Sequence, residues 1–428
     1  MSVGDFNTDL IDYIASSPTP FHAASMISAR LADAGYQLLD ESQEWKPAPG
    51  KYYVRRNESS IIAFTLPDGD YLQQGFRMVG AHTDSPCLKL KPSPGASNCG
   101  YYQLGVEVYG GALLNPWFDR DLSIAGRVTF RTGGGGIRSE LIDFRRPLAV
   151  IPSLAIHLDK TANEERCINA QTDMQPVLAL GEQEERNFND MLLEQLHEQH
   201  AGIDVEKILD FELSLYDCQK PVVTGIDGQF LSGARLDNLV SCFIGLRAML
   251  DTDHRKPSLL VCYDHEEIGS GSFHGAQGPF LRSVMERLLS SAEEFTRMID
   301  RSVMISCDNA HGVHPNYAQK HDDNHRPLLN HGPVLKFNAN QRYSTNSETA
   351  ALFRQLCENV DVPLQEFVMR ADMACGSTIG PITATGIGVK TVDVGVPQWA
   401  MHSIRETCGA MDPYSMCQVL KEFYKNDL

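Results

Sequence analysis

A chain of 428 residues, 42% hydrophobic and 21% charged, is long enough for two domains or for one large domain carrying an insertion. A formal net charge of -18 argues against nucleic acid and anionic membrane surfaces as partners, and no apolar run approaches the length of a membrane span. Eleven cysteines form no CxxC pair and leave one over, which suits reduced thiols; with no secretion signal over Met1 to Phe6, a soluble cytoplasmic protein is expected.

Helices are expected over 9–15 and 21–34, joined by Ser-Ser-Pro-Thr-Pro, with Gly35 as the second C-cap. Strands come next at 52–54 and 60–65, then at 76–80, which runs into Ala81-His82-Thr83-Asp84-Ser85-Pro86. From about Cys87 to Asp227 the texture changes to short alternating segments (102–109, 124–131, 138–143) between glycine-rich turns, the mark of antiparallel β structure. Two short helices are expected there, over 192–200 and 205–210. The run Gly133 to Gly136 lacks the Gly-Lys-Ser/Thr ending of a phosphate loop, and His197-Glu198-Gln199-His200 is one residue short of HExxH.

After Gly228 the α/β texture returns. A helix over 239–250 has Asp237 at or just before its start, where a plain N-cap would also suffice. A short apolar strand from Leu259 stops on Glu266 and Glu267; on extended chain these would point in opposite directions and could hold different jobs. One helix is expected over 280–297, strands at 303–307, 334–337 and 389–394, and helices over 347–358 and 411–426.

Ligands in open α/β sheets bind outside the carboxyl ends of the strands. His82, Glu266, Glu267, Asp308 and His402 fall at or just after such ends, and Asp237 at a helix start. Two imidazoles and several carboxylates suit zinc, or manganese or cobalt, and two ions about 3.5–4 Å apart would use five such ligands. Asp84, two residues beyond His82, is placed to accept the proton of its other ring nitrogen. His157, alone among Ala155, Ile156 and Leu158, reads as a histidine in an apolar setting.

These segments carry a resemblance. His82-Thr83-Asp84-Ser85-Pro86, Leu236-Asp237-Asn238, Glu266-Glu267-Ile268-Gly269-Ser270, Asp308 to Tyr317 and Met401-His402-Ser403-Ile404-Arg405-Glu406 resemble the aspartyl aminopeptidase family, as do further motifs spanning nearly the whole chain in order. The resemblance implies an α/β fold of zinc-exopeptidase type, a mixed central sheet flanked by helices over 1–86 and 228–428. An inserted, mainly antiparallel β domain for oligomerisation would occupy 87–227. It implies two divalent ions, zinc first, bridged by Asp237. His82 and Asp308 would complete one site, and Glu267 and His402 the other. Glu266 would be the general base for a metal-bridging water.

His157 is implied to steady the oxyanion in a neighbouring subunit, the alternative being a metal ligand in its own chain. Lys336 would select an N-terminal Asp, less so Glu, with Asp372, Met373 and Gly376 in the loop that shapes the pocket. His311, His314, His321 and His325 are assigned to packing around the Asp308 loop. The assembly implied is a homododecamer. A metal-dependent carboxypeptidase or deacylase is the rival within hydrolysis; a non-catalytic scaffold is the rival outside it.

Overall fold

The computed structural model describes residues 1–46, 48–69, 71–181 and 187–426. Its contacts divide the chain into two compact units. The first comprises Met1–Asp84, Pro221–Met401 and Glu406–Leu428; the second comprises Ser85–Lys220 and His402–Arg405. The second boundary thus falls before the 227/228 junction expected from the sequence, and a short stretch from near the end of the chain joins the inserted unit.

The first unit is built on a nine-stranded sheet. Its strands run, side by side, Gln37–Leu38, Gly50–Arg56, Ser60–Leu66, Ser258–Tyr263, Arg77–His82, Val303–Cys307, Lys390–Gly395, Val334–Phe337 and Gln365–Val368. The middle four are mutually parallel, whereas Ser60–Leu66 and Val334–Phe337 pair antiparallel to them, so the sheet is mixed. Strands such as Ser258–Tyr263 are buried along their whole length, as parallel strands covered on both faces must be. Register aligns the strand ends: Tyr263 stands opposite His82, and Ser306 opposite Gly80. Three strands therefore end together, and the residues just beyond them share one edge of the sheet.

Helix Leu236–Leu250 covers one face, and Phe243 on it meets Phe6 edge-on at 5.2 Å between ring centroids. Phe6 belongs to helix Val3–Ala15, which starts earlier than expected because Ser2 and Asp5 form a capping box. The single helix expected over 280–297 is two, Phe280–Glu286 and Ala292–Asp300. Ser291 is extended between them and accepts the backbone N–H of Glu294, a fresh N-cap. A smaller sheet of Val222–Thr224, Phe230–Gly233, Glu406–Gly409, Pro397–Trp399 and Ala310–His311 completes this unit's β structure.

The second unit holds a six-stranded antiparallel sheet: Ile137–Asp143, Leu122–Arg131, Lys207–Asp217, Cys87–Asn98, Tyr101–Tyr109 and Val177–Leu180. Helix Phe188–Gln199 packs on it through Phe188, Leu192 and Leu196. Residues 205–210, expected helical, are not. They lead into strand Lys207–Asp217, where Ile208 pairs with Phe130 and Phe211 with Val128. Six residues are too few for a stable isolated helix, and a ladder on the neighbouring strand satisfies the same backbone groups.

Candidate metal centre

Three strand ends and one helix start supply this site. Arg77–His82 ends on His82, Ser258–Tyr263 is followed by the turn Glu266–Ile268, and Val303–Cys307 by Asp308. Asp237 stands at the start of helix Leu236–Leu250 with non-helical φ -84° and ψ 105°. His82 lies at the middle. Its Nε2 is 3.6 Å from Asp237 Oδ1, 3.6 Å from Asp308 Oδ1 and 3.9 Å from Glu266 Oε2. Around it, ligating atoms of His82, Asp237 and Asp308, and of His82, Glu266 and Glu267, gather within 4.8 Å of one another.

Asp84 organises the cluster from behind, in a way that differs in detail from the expectation. The Nδ1–H of His82 donates to the backbone oxygen of Asp84 at 3.0 Å, while the Asp84 carboxylate is farther, at 3.4 Å. That carboxylate accepts the backbone N–H groups of Glu266 and Glu267, each at 3.1 Å. A carbonyl can only accept, so Nδ1 carries a proton and Nε2 is the ring nitrogen that faces the carboxylates, able to ligate a metal once an incoming cation displaces its own proton. Glu266 and Glu267 are not on extended chain: they sit on a 3-10 turn between His265 at φ 67° and Gly269 at φ 94°. Both carboxylates reach the same cluster around His82, so the opposite directions expected of extended chain are not found.

The electrostatics are those of crowded negative charge. Burial, then the neighbouring Asp308, raises the Asp237 carboxyl well above the usual range; burial and Asp237 do the same to Glu267. Burial pushes Glu266 up to about 7. Burial also opposes charge on His82, but the carboxylates of Asp308, Asp84 and Glu266 around it outweigh it and hold the ring well above the ordinary histidine value. Asp308 goes the other way, held low against its burial by the ammonium of Lys336. A dication among these groups would relieve the same repulsion. The donor set fits: ligands about 2.0–2.1 Å from one tetrahedral zinc stand roughly 3.3 Å apart, close to the separations at His82.

The other expected residues lie around this cluster or at the surface. Lys336 is 2% exposed, its Nζ 3.6 Å from Asp308 Oδ2 and 5.3 Å from the centre of the Tyr343 ring. Met373 lines a cavity of 230 Å³ with His311, Phe367, Gln398 and Trp399, whereas Asp372 lies at the surface in an ion pair with Arg370 at 2.7 Å. A side chain added at Gly376 would meet open space. His311 and His321 stack edge-on against Phe367, His314 lies against Tyr317 and Trp399, and His325 binds Asp322.

In the second unit, His402 Nδ1 lies 3.2 Å from the carbonyl oxygen of Gly111. His157 is exposed on a turn with Leu154, Ile156 and Leu158, so within one chain the apolar setting expected for it is an outward-facing one.

Residues not singled out by sequence hold the candidate ligands in place. Glu406, 1% exposed, accepts the backbone N–H of Asp237 at 2.9 Å and a bond from Gln398. Asn309 Nδ2 donates to the backbone oxygen of Leu236 and to Gln398 Oε1. Glu406 closes the motif at 401–406, but nothing in its sequence neighbourhood shows that its partner lies at Asp237.

Residues 13–424 match the family model described as Aminopeptidase I zinc metalloprotease (M18). The chain belongs to this family. It is 57% identical over 420 residues to the probable M18 family aminopeptidase 2 of Pseudomonas fluorescens (strain SBW25), covering 98% of this chain and 97% of the relative. The cryo-EM structure of the Ape4 and Nbr1 complex superimposes with a TM-score of 0.94 at 38% identity, over 98% of this chain and 85% of that one. The S. cerevisiae mApe1 dodecamer does so with a TM-score of 0.84 at 29% identity, over 99% and 97%. The M18 chain described here is thus a zinc metallo-aminopeptidase with the mixed α/β fold of that family. Among its described residues no helix is long and apolar enough to cross a membrane.

Proposed function

We propose that this M18 aminopeptidase releases N-terminal acidic residues, Asp ahead of Glu, from peptides in the cytoplasm, with Glu266 as general base. The observation that carries the specificity is Lys336, a buried ammonium beside Asp308 at the edge of the ligand cluster, in a chain of net charge -18. An acidic side chain needs such a cation close to the reacting bond.

Two divalent ions, zinc first and manganese or cobalt as substitutes, would be held by Asp237 in common, by His82 and Asp308 on one side, and by Glu267 and His402 on the other. Bound zinc supplies Lewis acidity toward the scissile carbonyl and lowers the pKa of water. Glu266 takes the proton of the attacking water and delivers it to the departing amine. A carboxylate largely withdrawn from solvent beside the cluster, its side chain 14% exposed, suits both halves of that task. Asp84 keeps Glu266 aimed through its backbone N–H. Lys336 holds the substrate's acidic side chain; the Asp372–Gly376 loop, with Met373 in the neighbouring cavity, shapes the pocket.

His157 serves a neighbouring subunit, steadying the tetrahedral oxyanion. Its support is exposure: Leu154, Ile156 and Leu158 around it are 59%, 48% and 75% exposed, an apolar surface that a second copy would cover. Assembly into a dodecamer, as in the S. cerevisiae structure, is part of this reading.

The test is hydrolysis of Asp-, Glu-, Leu- and Lys-p-nitroanilide by the metal-loaded protein beside Glu266→Gln. Acidic substrates should turn over fastest, and Glu266→Gln should lose about 10²–10⁴-fold in kcat while retaining its metal. A metal-loaded enzyme that cleaves no free-amine substrate, but does cleave acylated ones, would hand the site to the deacylase reading.

A further inference from the structure

Beside the catalytic turn lies a second gathering of ligating atoms that the mechanism does not use. Asp264, His265 and His274 bring one carboxylate oxygen and two imidazole nitrogens within 4.8 Å of one another. Asp264 Oδ2 is 3.5 Å from His274 Nε2 and 3.8 Å from His265 Nε2. These separations match the 3.6 Å spacing at His82. The two rings stand 4.5 Å apart between centroids, tilted by 50°.

The three side chains are also built into place. Ser60 Oγ accepts the backbone N–H of Asp264 at 2.8 Å and donates to the His274 carbonyl at 2.9 Å, joining the two segments. Asp264 Oδ1 accepts the N–H of His265 at 2.8 Å, which turns Oδ2 toward the rings. His265 Nδ1 lies 3.0 Å from Ser272 Oγ, directing its Nε2 inward. Asp264 and His274 are buried, while the His265 side chain keeps 23% of its surface exposed, so an ion has a way in.

We infer that Asp264, His265 and His274 form a divalent-cation site of their own, distinct from the centre at His82. Two imidazoles and a carboxylate select zinc or a borderline ion such as cobalt. A water completes four-coordination, and the hydrogen bond from Asn57 Nδ2 to His274 Nε2 at 3.3 Å gives way when the ion takes that lone pair. Because Asp264 and His265 immediately precede Glu266, a cation here fastens the segment from which both catalytic-turn carboxylates hang. Its role is structural support of that turn.

The experiment compares the parent, His265→Gln, His274→Gln and His82→Gln, each loaded with zinc, dialysed and assayed for metal per chain, with melting curves before and after zinc addition. His265→Gln and His274→Gln should each hold about one equivalent less than the parent and show a smaller zinc-dependent rise in Tm. His82→Gln should keep that portion of the rise. Equal metal content in the parent, His265→Gln and His274→Gln overturns the site; the partly exposed His265 guards against loss of fold in the His274 variant. If His82→Gln alone loses no metal, the catalytic assignment fails and this one stands. The difference between parent and variants does not depend on whether the catalytic centre holds one ion or two.

Discussion

Lys336 is asked to do two things at once, and substitution separates them. Its ammonium holds Asp308 ionised and, in the proposed function, receives an acidic side chain. Lys336→Met should lower kcat/KM on Asp-p-nitroanilide by roughly 10–100-fold, the worth of a charge-assisted hydrogen bond at about 1.5–3 kcal/mol. Measured at saturating zinc, the Asp-to-Leu ratio of kcat/KM must fall; a proportional loss on both substrates would make Lys336 a support for Asp308 alone.

Asp412 offers a test by pH. It opens helix Asp412–Lys425 and accepts the N–H groups of Asn330 at 2.6 Å and Gly332 at 2.9 Å, yet burial pushes its carboxyl up to about 6. The folded form thus binds the proton more tightly than an ordinary aspartate at 3.8, so this contribution is full below that value and is lost as pH rises through about 6. The stability of the parent relative to Asp412→Asn should therefore decline between about pH 4 and about pH 6.5, by on the order of 2–3 kcal/mol. A pH-independent difference in unfolding free energy would show that Asp412 does not titrate there. The proposed ligands could be picked out in the sequence because each sits where a strand or helix meets a loop. Glu406 could not: its bond to Asp237 spans a separation in sequence that no local pattern encodes.

At the scale of elements, the site depends on how closely strands and loops approach. A Cβ at Gly395, the end of strand Lys390–Gly395, would lie 1.9 Å from the backbone oxygen of Asp308. Backbone cannot swing aside as a side chain can. Gly395→Ala should push the Asp308 loop outward, weaken zinc binding roughly 10–100-fold and cost about 1–3 kcal/mol of stability. Gly80→Ala is the contrast, since its Cβ would meet the mobile end of Met304 at 2.1 Å and should be milder in metal titration. Equal effects from the two would remove the backbone explanation. The buried strands of the central sheet are legible as apolar runs, and so is the antiparallel texture of the insertion. The strand at 207–217 is not legible at its start, because a local pattern of six residues cannot register the partner strands on either side. The break at Ser291 escapes for the opposite reason, a cap hidden inside an otherwise helical run.

For the whole molecule, the decisive question is whether one chain completes another. Glu266→Gln and His157→Ala should each be inactive alone. If His157 acts in a neighbouring subunit, unfolding and reassembling them together restores sites that join an intact Glu266 to a donated His157, roughly a quarter of parent activity for random pairing into dimers. No recovery in a mixed assembly would place His157 in its own chain. Light scattering should give a particle near twelve times the 47.5 kDa chain, and disrupting it should abolish that recovery. The stretch His402–Arg405 adds a constraint on exchange of parts. It is encoded far downstream, among the segments of the first unit, yet it packs with the insertion: the His402 ring leans on Gly111, and its carbonyl accepts the N–H of Leu113. A proposed catalytic ligand is thus braced by a unit whose other residues lie at 85–220. Exchanging that module for a foreign one should therefore also unseat His402, some three hundred residues downstream of Gly111, unless the 402–405 stretch is exchanged with it.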